Sequence, residues 1–188
     1  YFDSSFDVTS IDGFFGATEV FHENTTWAVF GQSEFAVNEK LTVTTGLRYT
    51  HDDKTLSVGE QNVDGFAVVI GAASIQDYAD INVDDGQLSY EISANYKIDS
   101  GSSVFARYAN GFRAQTIQGR DVAFEGAPSV ADAETINSFE IGFKSDLLDN
   151  TLRLNAAAFY YVIDDIQFSA IGGGANNTAL INADEGSA

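Results

Sequence analysis

The sequence has 188 residues, with 9 Lys and Arg against 28 Asp and Glu for a net charge of −19, and it contains neither Cys nor Met. Its hydrophobic content of 44% and aromatic content of 13% exclude a disordered chain. The acidic balance excludes a nucleic-acid-binding face, and the absence of Cys excludes disulfide frameworks, zinc knuckles and thiol catalysis. Length predicts one domain or slightly more. No apolar run approaches the ~18 residues of a membrane-crossing helix. A chain that opens Tyr-Phe-Asp without Met reads as an excerpt of something longer.

In chain order, the first strand-like stretch is 26–51. Trp27, Val29, Phe35 and Val37 alternate with Gln32 and Glu34, Asn38-Glu-Lys40 supplies a turn, and Leu41, Val43, Leu47 and Tyr49 alternate with Thr42, Thr44 and Arg48. A long connection, 52–86, follows. The second stretch, 87–111, holds the clearest pattern. Leu88, Tyr90, Ile92, Ala94, Tyr96 and Ile98 fall on one face, and Gln87, Ser89, Glu91, Ser93, Asn95 and Lys97 on the other. Twelve residues with a period of two make a β-strand. Asp99-Ser-Gly-Ser-Ser103 turns the chain, and Val104, Ala106 and Tyr108 return with Arg107 on the opposite face. A second long connection spans 112–135. In the third stretch, 136–163, Phe139, Ile141 and Phe143 oppose Glu140 and Lys144. A turn at 146–150 leads to Leu152, Leu154, Ala156, Ala158 and Tyr160, whose opposite face mixes Arg153 and Asn155 with Phe159 and Tyr161. A third long connection is expected at 164–180.

The charge divides along the same lines. The three stretches hold seven acids and six bases, a net of −1, while the other 109 residues hold 21 acids and three bases, a net of −18. The acidity therefore belongs to the connections. Strands of ~10–14 residues exceed the soluble average of ~5–6. Tight turns alternating with long loops are the asymmetry of an outer-membrane barrel, and aromatic residues near strand ends suit a girdle. A soluble β-sandwich gives the same alternation, because the pattern does not say whether the apolar face meets a core or lipid.

Few residues carry chemistry. His22 and His51 sit at loop edges with no partner at metal spacing. Asp80, Asn82, Asp84 and Glu91 occupy positions one, three, five and twelve of a calcium loop, but Asp85 stands where the obligatory Gly belongs, so no metal site is expected. Gly172-Gly-Gly174 lacks a following Gly-Lys-Ser/Thr and reads as a loop. No nucleophile, base and orienting acid can be assembled, so neither enzyme activity nor a cofactor is expected. The polar strand face carries Gln32, Glu34, Arg48, Glu91, Lys97, Arg107, Glu140, Lys144 and Arg153 as candidate lumen-facing residues. Arg113 and Arg120 are the cationic points of the 112–135 loop and the candidates for substrate contact.

Three segments resemble the barrel of TonB-dependent outer-membrane receptors. They are Trp27–Phe35 with Leu41–Lys54, Val104–Ala114 and, most strongly, Asn137–Gln167. Ile181-Asn-Ala-Asp resembles the entry to a further strand, with Asp184 where the family more often has Gly. The resemblance implies an all-β fold, an antiparallel up-and-down meander of long strands forming part of a transmembrane barrel. It implies a 22-stranded barrel filled by a plug domain, set in the outer membrane of a Gram-negative bacterium. It further implies TonB as partner and active uptake of a scarce nutrient, most often a ferric siderophore, with haem, cobalamin and oligosaccharides open. About six strands and the start of a seventh are legible, and such an open sheet does not transport alone. A passive porin-like barrel and a soluble extracellular binding module are the alternatives.

Overall fold

A computed structural model describes residues 1–13, 16–63, 78–119, 122, 127–149, 151–172 and 177–188. Among the described residues there are ten strands: β1 (Phe2–Gly13), β2 (Gly16–Ala36), β3 (Leu41–Val63), β4 (Ile81–Lys97), β5 (Ser102–Arg113), β6 (Thr116–Gln118), β7 (Ser129–Ala131), β8 (Glu134–Leu147), β9 (Leu152–Gly172) and β10 (Asn177–Ser187). Eight of them form one sheet in the order β1-β2-β3-β4-β5-β8-β9-β10, and β6 and β7 pair separately. Each neighbour in the large sheet is antiparallel to the next, so the fold is the expected meander. No helix among the described residues is long and apolar enough to cross a membrane, which leaves open a crossing by strands.

Turn chemistry fixes the register. The Asn38 side chain accepts from the Lys40 and Leu41 amides, both at 2.9 Å, and Asp99 accepts from the Gly101 amide at 2.8 Å. Between β8 and β9, Leu148 and Asp149 both take positive φ, 52° and 53°, and the Thr151 amide donates to the Leu148 carbonyl at 3.1 Å.

The sheet exposes the wrong face for a soluble protein. In β4 the polar residues Gln87, Ser89, Glu91 and Ser93 are half-buried, while Leu88 and Ile92 are 50% and 49% exposed. Leu47, Phe139, Ile141, Leu154 and Tyr160 are exposed on that same apolar face. A sandwich would bury these side chains against a second sheet, and among the described residues the second sheet is the three-residue pair of β6 and β7. This counts against the soluble binding module. From Leu41 to His51, β3 rises about 34 Å, or about 24 Å along the normal at a ~45° tilt, close to the ~25 Å band of outer-membrane barrels.

The strands run past the bounds read from the sequence. β2 starts at Gly16 and β3 continues to Val63, so much of what reads as a 52–86 loop is paired strand. β9 extends to Gly172 and pairs with β10 along that length, and β1 adds an eighth strand to the sheet. The reason is a change of phase. Below residue 51 the apolar residues of β3 are odd-numbered (Leu41, Val43, Leu47, Tyr49), whereas above it Leu56 and Val58 are even-numbered. In β4 the apolar set likewise switches from Leu88, Tyr90 and Ile92 to Val83 and Ile81. Side chains alternate faces along a strand, so the apolar surface passes from one side of the sheet to the other near Asp52 and Asp85. Ile117, from β6, packs with Val20 and Leu56 there, with Val58, Ile81 and Val83 around them. The face on which this small core sits is called the inner face below.

Candidate functional site

Register places all nine polar candidates on the inner face. Glu34 stands opposite Thr44, Thr44 opposite Ser93, Ser93 opposite Arg107, Arg107 opposite Glu140 and Glu140 opposite Phe159. Directly opposite residues share a face, and the alternation carries the rest. Gln32, Arg48, Glu91, Lys97, Lys144 and Arg153 then fall on the same side through Gly46, Ser89, Ala109, Ser103 and Asp146.

The structure brings some of these together and leaves others apart. Arg107 donates to Glu91 Oε2 through Nη2 at 2.7 Å and through Nε at 3.2 Å. Arg153 meets Asp146 at the turn end of β8 and β9 with two bonds, 2.6 Å and 3.1 Å. Both pairs are open to solvent, so screening leaves each a weak contribution to stability. Arg48 donates to Thr50 Oγ1 at 2.9 Å and lies 5.5 Å over the Phe30 ring. Lys144 lies 5.3 Å over the Phe105 ring. Lys97, Lys144, Asp146, Arg153 and Asn155 line an open recess of about 580 Å³ at the turn end of the sheet. Sequence reading did not single out Phe30 and Phe105; both sit on the polar face, each under a cation.

The other end of the inner face is more closely built, and the sequence did not point to it. Asp52 stands opposite Asp85 on the inner side, and Asp53 opposite Asp84 on the outer side. Like charges directly across a strand pair repel. Here each inner carboxylate has a donor: the Thr26 hydroxyl reaches Asp52 Oδ1 at 2.5 Å, and Gln87 Nε2 reaches Asp85 Oδ1 at 2.9 Å. His51 Nε2 lies 3.2 Å from Asp84. Lys54 donates to the Gln115 carbonyl at 2.6 Å. Burial lowers the Lys54 amine from its ordinary value; Asp52 and Asp85 pull it back up, and Arg113 pushes it down.

Arg113 is the last residue of β5, opposite Glu134, and so is a strand residue rather than a loop residue. Arg120 lies outside the described residues. The Asp80-to-Glu91 segment is mostly strand, with Asp84 on one face and Glu91 on the other, so it does not wrap an ion. Among the described residues no group of three or more His, Cys, Asp and Glu could hold a metal.

His22 leads to a pH prediction. Its Nε2 is buried with no hydrogen-bond partner among the described residues. Burial first, and the Lys54 charge second, hold its pKa below 6.5. The unfolded segment takes a proton that the folded one resists, so stability falls as pH drops from ~6.5 toward the depressed value. Amide exchange in β2 and β3 around His22, corrected for intrinsic rates, is expected to quicken over that window. His22→Gln is expected to abolish the effect, and protection that stays flat in the parent protein disproves it.

The family described as TonB dependent receptor-like, beta-barrel matches residues 1–188. No curated protein sequence matches. Among solved structures, the chain is similar to the ferric yersiniabactin uptake receptor of Yersinia pestis, at 16% identity and a TM-score of 0.63 over 88% of this chain and 23% of that one. It is similar to the alcaligin outer-membrane receptor of Bordetella pertussis, at 20% identity and a TM-score of 0.53 over 93% of this chain and 27% of that one. It is also similar to the closed form of the ferric-catecholate import receptor of E. coli K12, at 14% identity and a TM-score of 0.55 over 87% of this chain and 24% of that one. The chain thus spans about a quarter of the length of these receptors. With its antiparallel meander, exposed apolar band and polar inner face, and the family match along its whole length, the chain belongs to the β-barrel family of TonB-dependent receptors.

Proposed function

We propose that this chain is a wall segment of an energised importer in the outer membrane of a Gram-negative bacterium, and that the whole receptor takes up a ferric siderophore. The observation that carries the reading is the family match over residues 1–188. The similar structures are receptors for ferric yersiniabactin, alcaligin and ferric catecholates, which supports an iron chelate as the cargo. In this reading the inner face is the lumen wall. Gln32, Glu34, Arg48, Glu91, Lys97, Arg107, Glu140, Lys144 and Arg153 face the plug of the same receptor, and Arg113 and Arg120 are the residues proposed to contact substrate. The outer apolar band meets lipid. TonB supplies the energy from the inner membrane, and the work is transport, not catalysis.

The charge narrows the cargo. Outside the stretches 26–51, 87–111 and 136–163 this sector carries a net charge of −18 and steers anions away, so a highly anionic chelate is disfavoured against a neutral or cationic one. The test is uptake of radioactive iron, as a set of ferric chelates of different charge, by cells whose only such receptor is the full-length protein. Uptake of at least one chelate is expected, and it is expected to stop when TonB is deleted. Uptake that persists without TonB means a passive pore instead, and no uptake of any iron chelate moves the cargo to another nutrient class.

A further inference from the structure

The described parts of the connection between β5 and β8, residues 114–119 and 127–133, do not project away from the sheet. They pair as β6 and β7 and lie across the inner face. One anchor is on β3, where Lys54 Nζ holds the Gln115 carbonyl at 2.6 Å and Ile117 packs with Leu56 and Val20. The fit is close: a Cβ on Gly119 would come within 2.7 Å of Leu56 and 3.2 Å of Val20. The other anchors are on β9 and β10. Gln167 is buried and donates to the carbonyls of Ala114 at 3.0 Å and Asp132 at 2.8 Å, and its Oε1 accepts from Thr116 at 2.8 Å. Its own amide donates to Glu134 at 2.9 Å. On β10, Asn182 exchanges bonds with the Asp132 backbone at 2.8 Å and 3.0 Å, and the Leu180 amide donates to Ser129 at 2.9 Å.

In the sheet, β4, β5 and β8 lie between β3 and β9. The hairpin therefore bridges four strand spacings, about 19 Å measured along the sheet. An element pinned at both ends, with Ile117 and Ala131 buried, does not swing as a free loop. We infer that the β6–β7 hairpin is a fixed strap that limits the size of what reaches the polar inner face, and that Gln167 is its positioning residue. The inference deepens the uptake reading by naming a specificity element of the same lumen, and it rests on the inner face being that lumen.

The experiment uses the full-length receptor with Gln87→Cys as a reporter. Gln87 lies on the inner face opposite Thr50, on the turn side of Lys54. Two water-soluble maleimides are compared, one small and one carrying a long polyethylene glycol chain. In the parent background the large reagent is expected to react at least about tenfold more slowly than the small one, since pore diameter decides access. Adding Gln167→Ala is expected to bring the two rates within about twofold of each other. A disulfide between Leu56→Cys and Ile117→Cys, formed in the Gln167→Ala background without the reporter thiol exposed to oxidant, is expected to restore the discrimination, and its reduction to abolish it. A collapsed fold would not recover in this way. Equal rates in the parent background, an unchanged ratio after Gln167→Ala, or no restoration by the disulfide each overturn the strap. Labelling needs no transport, so failed iron uptake with size-limited labelling counts against the importer and not against the strap.

Discussion

Ile92→Arg in the full-length receptor is expected to destabilise the barrel by about 2–4 kcal/mol, the cost of an arginine facing lipid near the middle of a barrel. Ile92 lies on the outer face, opposite Thr45 on one side and Tyr108 on the other, and is 49% exposed. It is central in the apolar run from Leu88 to Tyr96, so the charge has no short route to either surface. Thr44→Arg, on the neighbouring strand beside Thr45, is the control. Thr44 stands opposite Glu34 and Ser93 on the inner face, where a cation meets water and a carboxylate. Its expected change is below about 1 kcal/mol. Urea unfolding in lipid vesicles reads both. Equal losses at the two positions would mean that the faces have been assigned wrongly.

The second large effect is expected at Gly142. It stands opposite Phe105, whose ring lies over the glycine and occupies the place a Cβ would take. A Cβ there would also come within 3.0 Å of the Ala156 carbonyl, which is backbone and does not yield. Gly142→Ala should therefore cost about 1–3 kcal/mol, by forcing the ring out of place. Moving the ring also takes it from under Lys144. The double change Phe105→Ala with Gly142→Ala should cost less than the sum of the two single changes, because the clash needs both partners. Additive losses would show that the ring does not rest on the glycine.

The polar candidates illustrate how far a pattern reaches. Glu91, Lys97 and Arg107 could be assigned to one face from a period of two alone. That Arg107 bonds Glu91, and not Glu140 directly opposite it, depends on side-chain reach across a diagonal. In the sequence Arg113 lies past the 87–111 stretch and reads as a loop residue; pairing of β5 with β8 opposite Glu134 makes it a strand residue. Phe30 and Phe105 depart from the alternation, an aromatic on a polar face, and only the cation above each ring, Arg48 and Lys144, accounts for them.

By itself the sequence determined the meander, the tight turns and the long strands, and through them the family. Those features are local: an alternation of two, a side chain that caps its own turn, and an apolar face too large to leave in water. The tertiary structure alone decided three things. It extended the strands past Asp52 and Asp85, where the alternation changes phase and a single-phase reading stops. It set carboxylate against carboxylate there, which only register can do. It laid residues 114–119 and 127–133 across the inner face, joining Lys54 to Gln167 through contacts between segments far apart in the chain. Periodicity fixes which way a side chain points along its own strand; only pairing between strands fixes what it meets.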